Sequence, residues 1–257
     1  MSRRQATRPP RPQVIAHRGA SAYLPENTLA AYELAVAQAA DMIEVDLHRT
    51  RDGEVVVVHD AELARIGGRG EIADASLAEV RSLDAGAGQR VPTLDELLDG
   101  FGARIALNLE LKQASHGAYA GLPALAAAGV RDRGLLGRTL FSSFYDPVLQ
   151  DLRRVEPDAR IALLLSRRAP QGWLERAHAL GAEAVNPELP LVDRGFVERA
   201  HGEGLAVYVF TVDPLDEMRR LLELGVDGLF TNVPDRLRQL VDAWEGLGTV
   251  DSGNLIS

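Results

Sequence analysis

Short apolar runs alternate with amphipathic stretches along most of the chain. Several of the apolar runs are continuous, as in strands that are covered on both faces. The predicted strands are Val14–His17, Met42–Leu47, Glu54–His59, Arg104–Leu111, Thr139–Phe144, Arg160–Ser166, Ala184–Pro187, Ala206–Val212 and Gly228–Asn232. Helical spacing of apolar residues predicts intervening helices at Asn27–Ala40, Pro147–Glu156, Trp173–Leu180, Asp193–Gly202 and Pro214–Leu224.

The junction between the second and third predicted strands differs from the others. The residues from His48 to Gly53 leave no room for a helix, and the pair Asp52-Gly53 is a hairpin signal. A glycine-rich stretch follows His59, with a short predicted helix at Ser76–Ser82. We therefore expect the third strand to fold back on the second, and residues 60–90 to form an insertion.

Strand–helix units that repeat about every 25 residues without a linker favour one closed (β/α)₈ barrel of the TIM type. Eight strands close such a barrel, so one of the predicted strands is surplus, and the hairpin strand is the natural candidate. A doubly wound open sheet is the alternative, but the turn after Val14–His17 is not a glycine-rich dinucleotide loop. We expect a single barrel domain over residues 13–245, a disordered tail at 1–12 and a second tail at 246–257.

The composition is that of an ordinary globular domain, with 46% hydrophobic and 25% charged residues. The net charge of −9 argues against a general nucleic-acid-binding protein. The absence of cysteine excludes disulfides, thiolate zinc sites and thiol nucleophiles. Apolar runs are too short to span a bilayer, and no apolar segment follows the basic N-terminus, so we expect a cytoplasmic protein without stable membrane insertion. The basic tail is expected to be solvated, with contact to an anionic surface as the alternative.

Three carboxylates stand where predicted strands end, the place where the active sites of such barrels lie. Glu44 and Asp46 are two residues apart and share one face of a strand, and Glu110 ends a later strand. Carboxylates in one cleft repel each other, and a divalent cation that prefers oxygen ligands, such as Mg²⁺, Ca²⁺ or Mn²⁺, would relieve the repulsion. The alternative is that each carboxylate pairs with a nearby arginine. For the three together, the metal site is favoured.

Two histidines, His17 and His59, each end an apolar strand beside these carboxylates, which suits a general base and a general acid at one centre. The remaining histidines are predicted to lie in loops or on helix faces, with structural roles: His48, His116, His178 and His201. Lys112 is the single lysine among 28 basic residues. A compact ammonium just after Glu110 indicates contact with a phosphoryl oxygen, and an exposed lysine without a role is the alternative.

A series of motifs follows one order along the chain. It begins with His17-Arg18-Gly19, Pro25-Glu26-Asn27-Thr28, Ile43-Glu44-Val45-Asp46, Asp52-Gly53 and His59-Asp60. It continues with Leu107-Asn108-Leu109-Glu110-Leu111-Lys112, Ser142-Ser143-Phe144, Gly225-Val226-Asp227-Gly228 and Thr231-Asn232. From about Val14 to Leu240, this series resembles the signature of the glycerophosphodiester phosphodiesterase family.

The resemblance implies a (β/α)₈ barrel with a small insertion after the hairpin strand, and a divalent cation, Mg²⁺ or Ca²⁺, as cofactor. It implies metal ligands at Glu44, Asp46 and Glu110 and catalytic histidines at His17 and His59. Substrate or phosphate contacts are implied at Arg18, Lys112, Glu26, Asn27 and Phe210. The implied reaction converts a small-molecule glycerophosphodiester to glycerol 3-phosphate and an alcohol, by way of a cyclic phosphate formed by the neighbouring glycerol hydroxyl.

Two positions depart from the common family pattern, and both affect the expected alcohol pocket. Phe210 stands where many relatives have tryptophan, and Asn232 stands where aspartate is frequent. A lysophospholipase D-type or phosphoinositide-type phosphodiesterase, with the same chemistry on a different substrate, is a second interpretation, which the aromatic content of 5% disfavours. A non-catalytic barrel that binds phosphate esters is a third, which the presence of both histidines and all three carboxylates disfavours.

Overall fold

Buried, extended runs form the strands of a barrel. The computed structural model describes residues 11–247 of the 257. Its strands are β1 Gln13–His17, β2 Met42–Arg49, β3 Val55–Val57, β4 Ala106–Leu111, β5 Gln113–Ala114, β6 Gly117–Ala118, β7 Thr139–Ser143, β8 Arg160–Leu165, β9 Ala184–Pro187, β10 Ala206–Val209 and β11 Gly228–Thr231. Its helices are α1 Leu29–Ala37, α2 Leu77–Arg81, α3 Leu94–Phe101, α4 Leu122–Asp132, α5 Asp146–Val155, α6 Trp173–Leu180, α7 Arg194–Gly202, α8 Leu215–Leu224 and α9 Pro234–Leu247.

Eight parallel strands close the barrel in the order β1, β2, β4, β7, β8, β9, β10 and β11, and β11 pairs back to β1. The strand β3 lies outside this ring and pairs antiparallel with β2, with Leu47 opposite Val57. The predicted (β/α)₈ barrel is therefore confirmed, and the hairpin strand is the surplus one. The open-sheet alternative is wrong because the β1–β2 and β1–β11 pairings close the parallel strands into a ring.

Two apolar layers hold the barrel together. Residues on one face of the strands fill its interior, among them Ile15, Met42, Leu140, Ala184 and Phe230. The alternate residues pack outward against the helices, as the two-residue period of a strand requires. Polar residues that come after these interior residues along a strand therefore lie toward the carboxyl-terminal end of the barrel.

The segment after β3 has a small apolar core of its own. Two short 3₁₀ turns and α2 pack Leu63, Ile72 and Val80 against Val56 of β3, and Val91, from the connection between α2 and α3, joins this cluster. The side chains of Ser76 and Glu79 form a capping box at the start of α2. This packing fixes β3, and with it His59, against the barrel.

Three helices lie where no helix was predicted, namely α3, α4 and α9. The predicted tails fall almost entirely outside the described residues, which begin at Arg11 and end with α9 at Leu247. Within residues 11–247, no helix has the length and apolar character needed to cross a membrane.

Gly19, in the turn after β1, approaches α1 closely. It has φ +85°, and a Cβ there would lie 2.8 Å from both the carbonyl carbon and the Cβ of Ala31. A left-handed backbone and overpacking together cost an L-residue about 2–4 kcal/mol. We expect Gly19→Ala to lower the free energy of unfolding by that amount, measured by urea denaturation.

The matched control is Gly67→Ala. Gly67 has φ +81°, but a Cβ added there would meet no atom within 4 Å among the described residues, its chain neighbours aside. This variant should lose only the backbone contribution, about 1–2 kcal/mol. Equal losses in the two variants would contradict a role for the close approach to α1.

Candidate active site

The three predicted carboxylates meet near the carboxyl end of β4, beside the middle of the longer strand β2. Glu44 and Asp46 face the same side of β2, and Glu110 pairs in register with Asp46 across the two strands. All three are buried, and one oxygen from each lies within 4.8 Å of the others. The two-residue spacing and the strand register together account for this cluster.

Burial affects the three carboxyl groups unequally. Burial raises the pKa of Glu44 well above its usual range, and the charges of Asp46 and Glu110 raise it further. Burial also raises the pKa of Glu110. Burial acts on Asp46 in the same direction, but Lys112 and Arg18 outweigh it and hold the pKa of Asp46 below its usual value.

Two basic side chains lie among the carboxylates. The Nζ atom of Lys112 is 2.9 Å from Glu110 and 3.2 Å from Asp46, and the pKa of Lys112, which burial lowers, is raised overall by these two partners. The Nε atom of Arg18 is 3.2 Å from Asp46. Among the described residues, Glu44 has no ion pair with arginine or lysine and instead accepts the backbone N–H of Arg18 at 3.1 Å. The arginine-pairing alternative therefore holds for Asp46 alone.

The donor atoms fit a hard divalent cation. Two positive side chains face three carboxyl groups, so Glu44, when ionised, has no positive side chain paired with it among the described residues. Asn108 lines the same pocket. Its Nδ2 donates to Ser142 at 3.0 Å, and its buried Oδ1 has no hydrogen-bond partner within residues 11–247. Carboxylate and amide oxygens are the ligands that Mg²⁺ and Ca²⁺ prefer.

His17 ends β1 and turns one ring nitrogen toward the carboxylates. Asn232 donates its amide to Asp213 at 2.6 Å, so its Oδ1 accepts the Nδ1–H of His17 at 2.8 Å. The other nitrogen, Nε2, carries the lone pair and lies 4.0 Å from Glu44. Burial and the neighbouring Arg18 lower the pKa of His17 to about 4, so the ring is neutral at pH 7 and able to accept a proton.

His59 follows β3 and reaches the same pocket from the other side. Its Nδ1 lies 2.6 Å from Asp60, a carboxylate rather than an amide. Burial lowers the pKa of His59, whereas Asp46 and Asp60 act in the opposite direction. The pKa of His59 stays below its usual value overall, because burial, Lys112 and Arg18 outweigh these two carboxylates. The two imidazoles differ in their partners, an amide for His17 and a carboxylate for His59.

His48 lies on β2 and is buried, so the prediction that it occupies a loop or a helix face is wrong. Tyr119 lies 2.7 Å from its Nδ1, and the carbonyl of His59 lies 3.0 Å from its Nε2. A carbonyl can only accept, so Nε2 carries the proton and Nδ1 accepts the hydroxyl of Tyr119. The pair thus supports the backbone at His59. The other three histidines, His116, His178 and His201, are exposed and lie in a turn or on α6 and α7.

Glu26 and Asn27 contact the charged residues of the site from outside the pocket. The Nδ2 of Asn27 donates to Asp46 at 2.8 Å, and its Oδ1 accepts the hydroxyl of Tyr32 at 3.0 Å. Glu26 lies 3.1 Å from Arg18 and 3.1 Å from Arg65. Both side chains therefore contact residues of the charged cluster, and neither lines the pocket at the barrel axis.

A cavity of about 200 Å³, called the inner pocket, lies over the barrel axis. His17, Arg18, Glu44, His59, Glu110 and Lys112 line it. Its apolar wall includes Phe210, whose ring meets Phe144 edge to face at 5.8 Å. Phe210 was predicted from the sequence to be a site residue, but Asn108, Leu164 and Phe230 were not. For Asn108, the spacing of two residues from Glu110 was an available signal.

Comparisons with known proteins agree with this geometry. The chain matches the glycerophosphoryl diester phosphodiesterase family over residues 17–236. A glycerophosphodiester phosphodiesterase of Caldanaerobacter subterraneus subsp. tengcongensis is 34% identical, over 89% of this chain and 97% of that protein. One of Bacillus subtilis is 33% identical, over 88% of this chain and 85% of that protein.

One solved structure is similar to this chain in both fold and sequence. A phosphodiesterase of Oleispira antarctica, whose structure is a complex with the product sn-glycerol-3-phosphate, is 31% identical, with a TM-score of 0.81 over 90% of this chain and 97% of that one. Fold, site and sequence thus define a barrel phosphodiesterase. The chain belongs to the glycerophosphoryl diester phosphodiesterase family, and the resemblance of its motifs is confirmed.

Tyr119→Phe should destabilise the protein, because it leaves the buried Nδ1 of His48 without a donor. We expect the free energy of unfolding to fall by about 1–3 kcal/mol, the cost of a buried unsatisfied polar group. Urea denaturation measures this loss, and nitrogen NMR should report the Nε2–H tautomer of His48 in the wild type.

Tyr145→Phe is the control, since Tyr145 is exposed and its hydroxyl makes no hydrogen bond among the described residues. Its stability should change by less than about 0.5 kcal/mol. Equal stability of the two variants, or an Nδ1–H tautomer of His48, would contradict the assigned hydrogen bonds.

Proposed function

We propose that this protein hydrolyses glycerophosphodiesters to glycerol 3-phosphate and an alcohol, with a divalent cation held by Glu44, Asp46 and Glu110. The observation that carries the proposal is the meeting of these carboxylates with two differently partnered imidazoles at one pocket. The product bound to the Oleispira antarctica relative supports the same reaction. When bound, the cation would offset the negative charge that develops on the phosphoryl oxygens.

The proton transfers fall to the two histidines. The neutral Nε2 of His17 would accept a proton from the glycerol hydroxyl that attacks phosphorus. His59, with Asp60 behind it, would donate a proton to the alkoxide as the phosphorus–oxygen bond to the alcohol breaks. Water would then open the cyclic phosphate with the two roles reversed. The hydroxyl and the phosphorus belong to one molecule, so the attack gains greatly from proximity.

Lys112 and Arg18 would hold the phosphate. The ammonium of Lys112 has three donors, of which two face Glu110 and Asp46, so the third is available to a phosphoryl oxygen in the inner pocket. Arg18 lines the same pocket and is itself held by Asp46 and Glu26. We assign Glu26 and Asn27 the role of fixing Arg18 and Asp46 in place.

Removal of divalent cations should abolish hydrolysis. A panel of glycerophosphocholine, -ethanolamine, -glycerol and -inositol, assayed with and without chelator, tests both the substrate class and the metal. Added Mg²⁺ or Ca²⁺ should restore turnover and raise the melting temperature of the wild type, because a bound ion stabilises the fold by about 2.7 kcal/mol at a hundred times its Kd. The double variant Glu44→Gln, Glu110→Gln should show no such rise. Full activity after exhaustive metal removal would contradict the proposal.

Replacement of either catalytic histidine should reduce turnover with little change in KM. We expect His17→Ala and His59→Ala each to lower kcat by about 10²–10⁴-fold, the usual contribution of a general acid or base. His178→Ala and His201→Ala are the controls, because both residues are exposed on outer helices. Normal turnover of His59→Ala together with a defect in His201→Ala would contradict the assignment.

Lys112→Arg keeps the charge but replaces a compact ammonium with a planar fork. The fork cannot occupy the space between Glu110 and Asp46 without moving the phosphate, and a displacement of about 1 Å can cost 10²-fold in rate. We expect a strong loss of kcat/KM with a melting temperature close to that of the wild type. Steady-state kinetics with a thermal melt checks this, and a wild-type kcat/KM would show that Lys112 does not contact the substrate.

A further inference from the structure

A larger cavity of about 810 Å³, called the outer cavity, opens beside the inner pocket. The two share a common wall formed by His59, Phe144, Leu164 and Phe210. The outer cavity is lined further by Tyr145 before α5, by the segment after β8, which contributes Arg167 and Arg168, and by Arg176 of α6 and Glu188 after β9. It thus combines an apolar floor with an arginine-rich rim.

The charges on this rim do not cancel. Arg176 is compensated, since its guanidinium bonds Asp146 at 2.7 and 2.8 Å. Glu188 accepts the backbone N–H of Arg167 at 2.8 Å and lies 3.5 Å from its guanidinium. In the part of the chain that the structure describes, the guanidinium of Arg168 has no ion pair or hydrogen bond, and Arg168 is exposed. The outer cavity therefore keeps a positive charge at its mouth, although the whole chain is acidic.

The positions of the two histidines indicate which half of the substrate enters this cavity. His59 lines both cavities, whereas His17 lines only the inner pocket. In the proposed function His59 protonates the departing alcohol, so the alcohol must lie on the His59 side of the phosphorus. The glycerol, attacked through its own hydroxyl beside His17, stays in the smaller inner pocket.

We propose that the outer cavity binds the alcohol half of the diester and selects alcohols that carry an anionic group, a carboxylate or a phosphate. Arg168 is the main contact for that group, with Arg167 beside it. A cationic alcohol would meet the same guanidinium groups, while Glu188 is already bonded to Arg167. This specificity rests on the proposed function and adds the substrate class to it.

Two pairs of substrates that differ only in the anionic group test the specificity. Glycerophosphoserine differs from glycerophosphoethanolamine by a carboxylate, and glycerophosphoinositol 4-phosphate differs from glycerophosphoinositol by a phosphate. We expect the anionic member of each pair to have a kcat/KM about fivefold higher, the scale of one exposed ion pair. Arg168→Gln should reduce this ratio, and the double variant Arg167→Gln, Arg168→Gln should bring it close to one.

Arg199→Gln is the matched control, because it removes the same charge from an exposed arginine in the last turn of α7, next to the amino end of β10. It should leave both ratios unchanged. In the wild type, raising the salt from about 50 to about 500 mM should shrink the ratios, since exposed charges are screened. Equal kcat/KM within each pair, or ratios that Arg168→Gln leaves intact, would overturn the proposal.

A binding measurement separates this proposal from the proposed reaction. O-phosphoserine and O-phosphoethanolamine each consist of the alcohol of the corresponding diester joined to its phosphate. Calorimetry can measure the binding of these two compounds without turnover. The wild type should bind O-phosphoserine about fivefold more tightly, Arg168→Gln should reduce the difference, and the double variant should bring it close to zero. Turnover of no glycerophosphodiester would overturn the proposed function alone, whereas equal binding of the two phosphates would overturn the anionic subsite alone.

Discussion

The site depends on burying three carboxylates together on two neighbouring strands, β2 and β4. Alone, Glu44, Asp46 and Glu110 would repel each other in a region from which water is largely excluded, and the cost would be several kcal/mol per uncompensated ion. Lys112 and Arg18 offset part of that cost by direct ion pairs. The excess negative charge that remains makes the cluster suitable for a divalent cation.

The surrounding structure can be understood as support for that arrangement. Arg18 and Asn27 both adopt left-handed backbone conformations, with φ +57° and +56°, and both direct their side chains at Asp46. Such conformations are unfavourable for residues other than glycine and persist where contacts with neighbours over-determine them. Tyr32, buried in α1, completes the set by bonding Asn27. The connection between β1 and α1 thus positions two side chains that hold Asp46.

Features that depend on local periodicity, such as the carboxylate cluster and the hairpin, could be predicted from the sequence. Alternation along β2 and β4 predicted that Glu44, Asp46 and Glu110 share a cleft, and Asp52-Gly53 predicted the hairpin. Among the missed helices, α3 carried an unused signal, the capping box of Thr93 and Glu96. The hydrogen bonds from His17 to Asn232 and from His48 to the backbone of His59 could not be predicted, because each depends on how distant segments or a hairpin register bring two polar groups together.

The inner pocket and the outer cavity are built by different parts of the fold. Residues on or next to β1, β2 and β4 provide the charged groups of the inner pocket, together with His59 from the hairpin, whereas β8 contributes only the apolar Leu164 there. The arginines of the outer cavity belong to the segment after β8, which is remote in sequence from all three carboxylates. Connecting segments tolerate substitution better than barrel strands. The rim charge can therefore differ between proteins of this fold without disturbing the buried cluster, so specificity for the alcohol and competence for the reaction are physically separable.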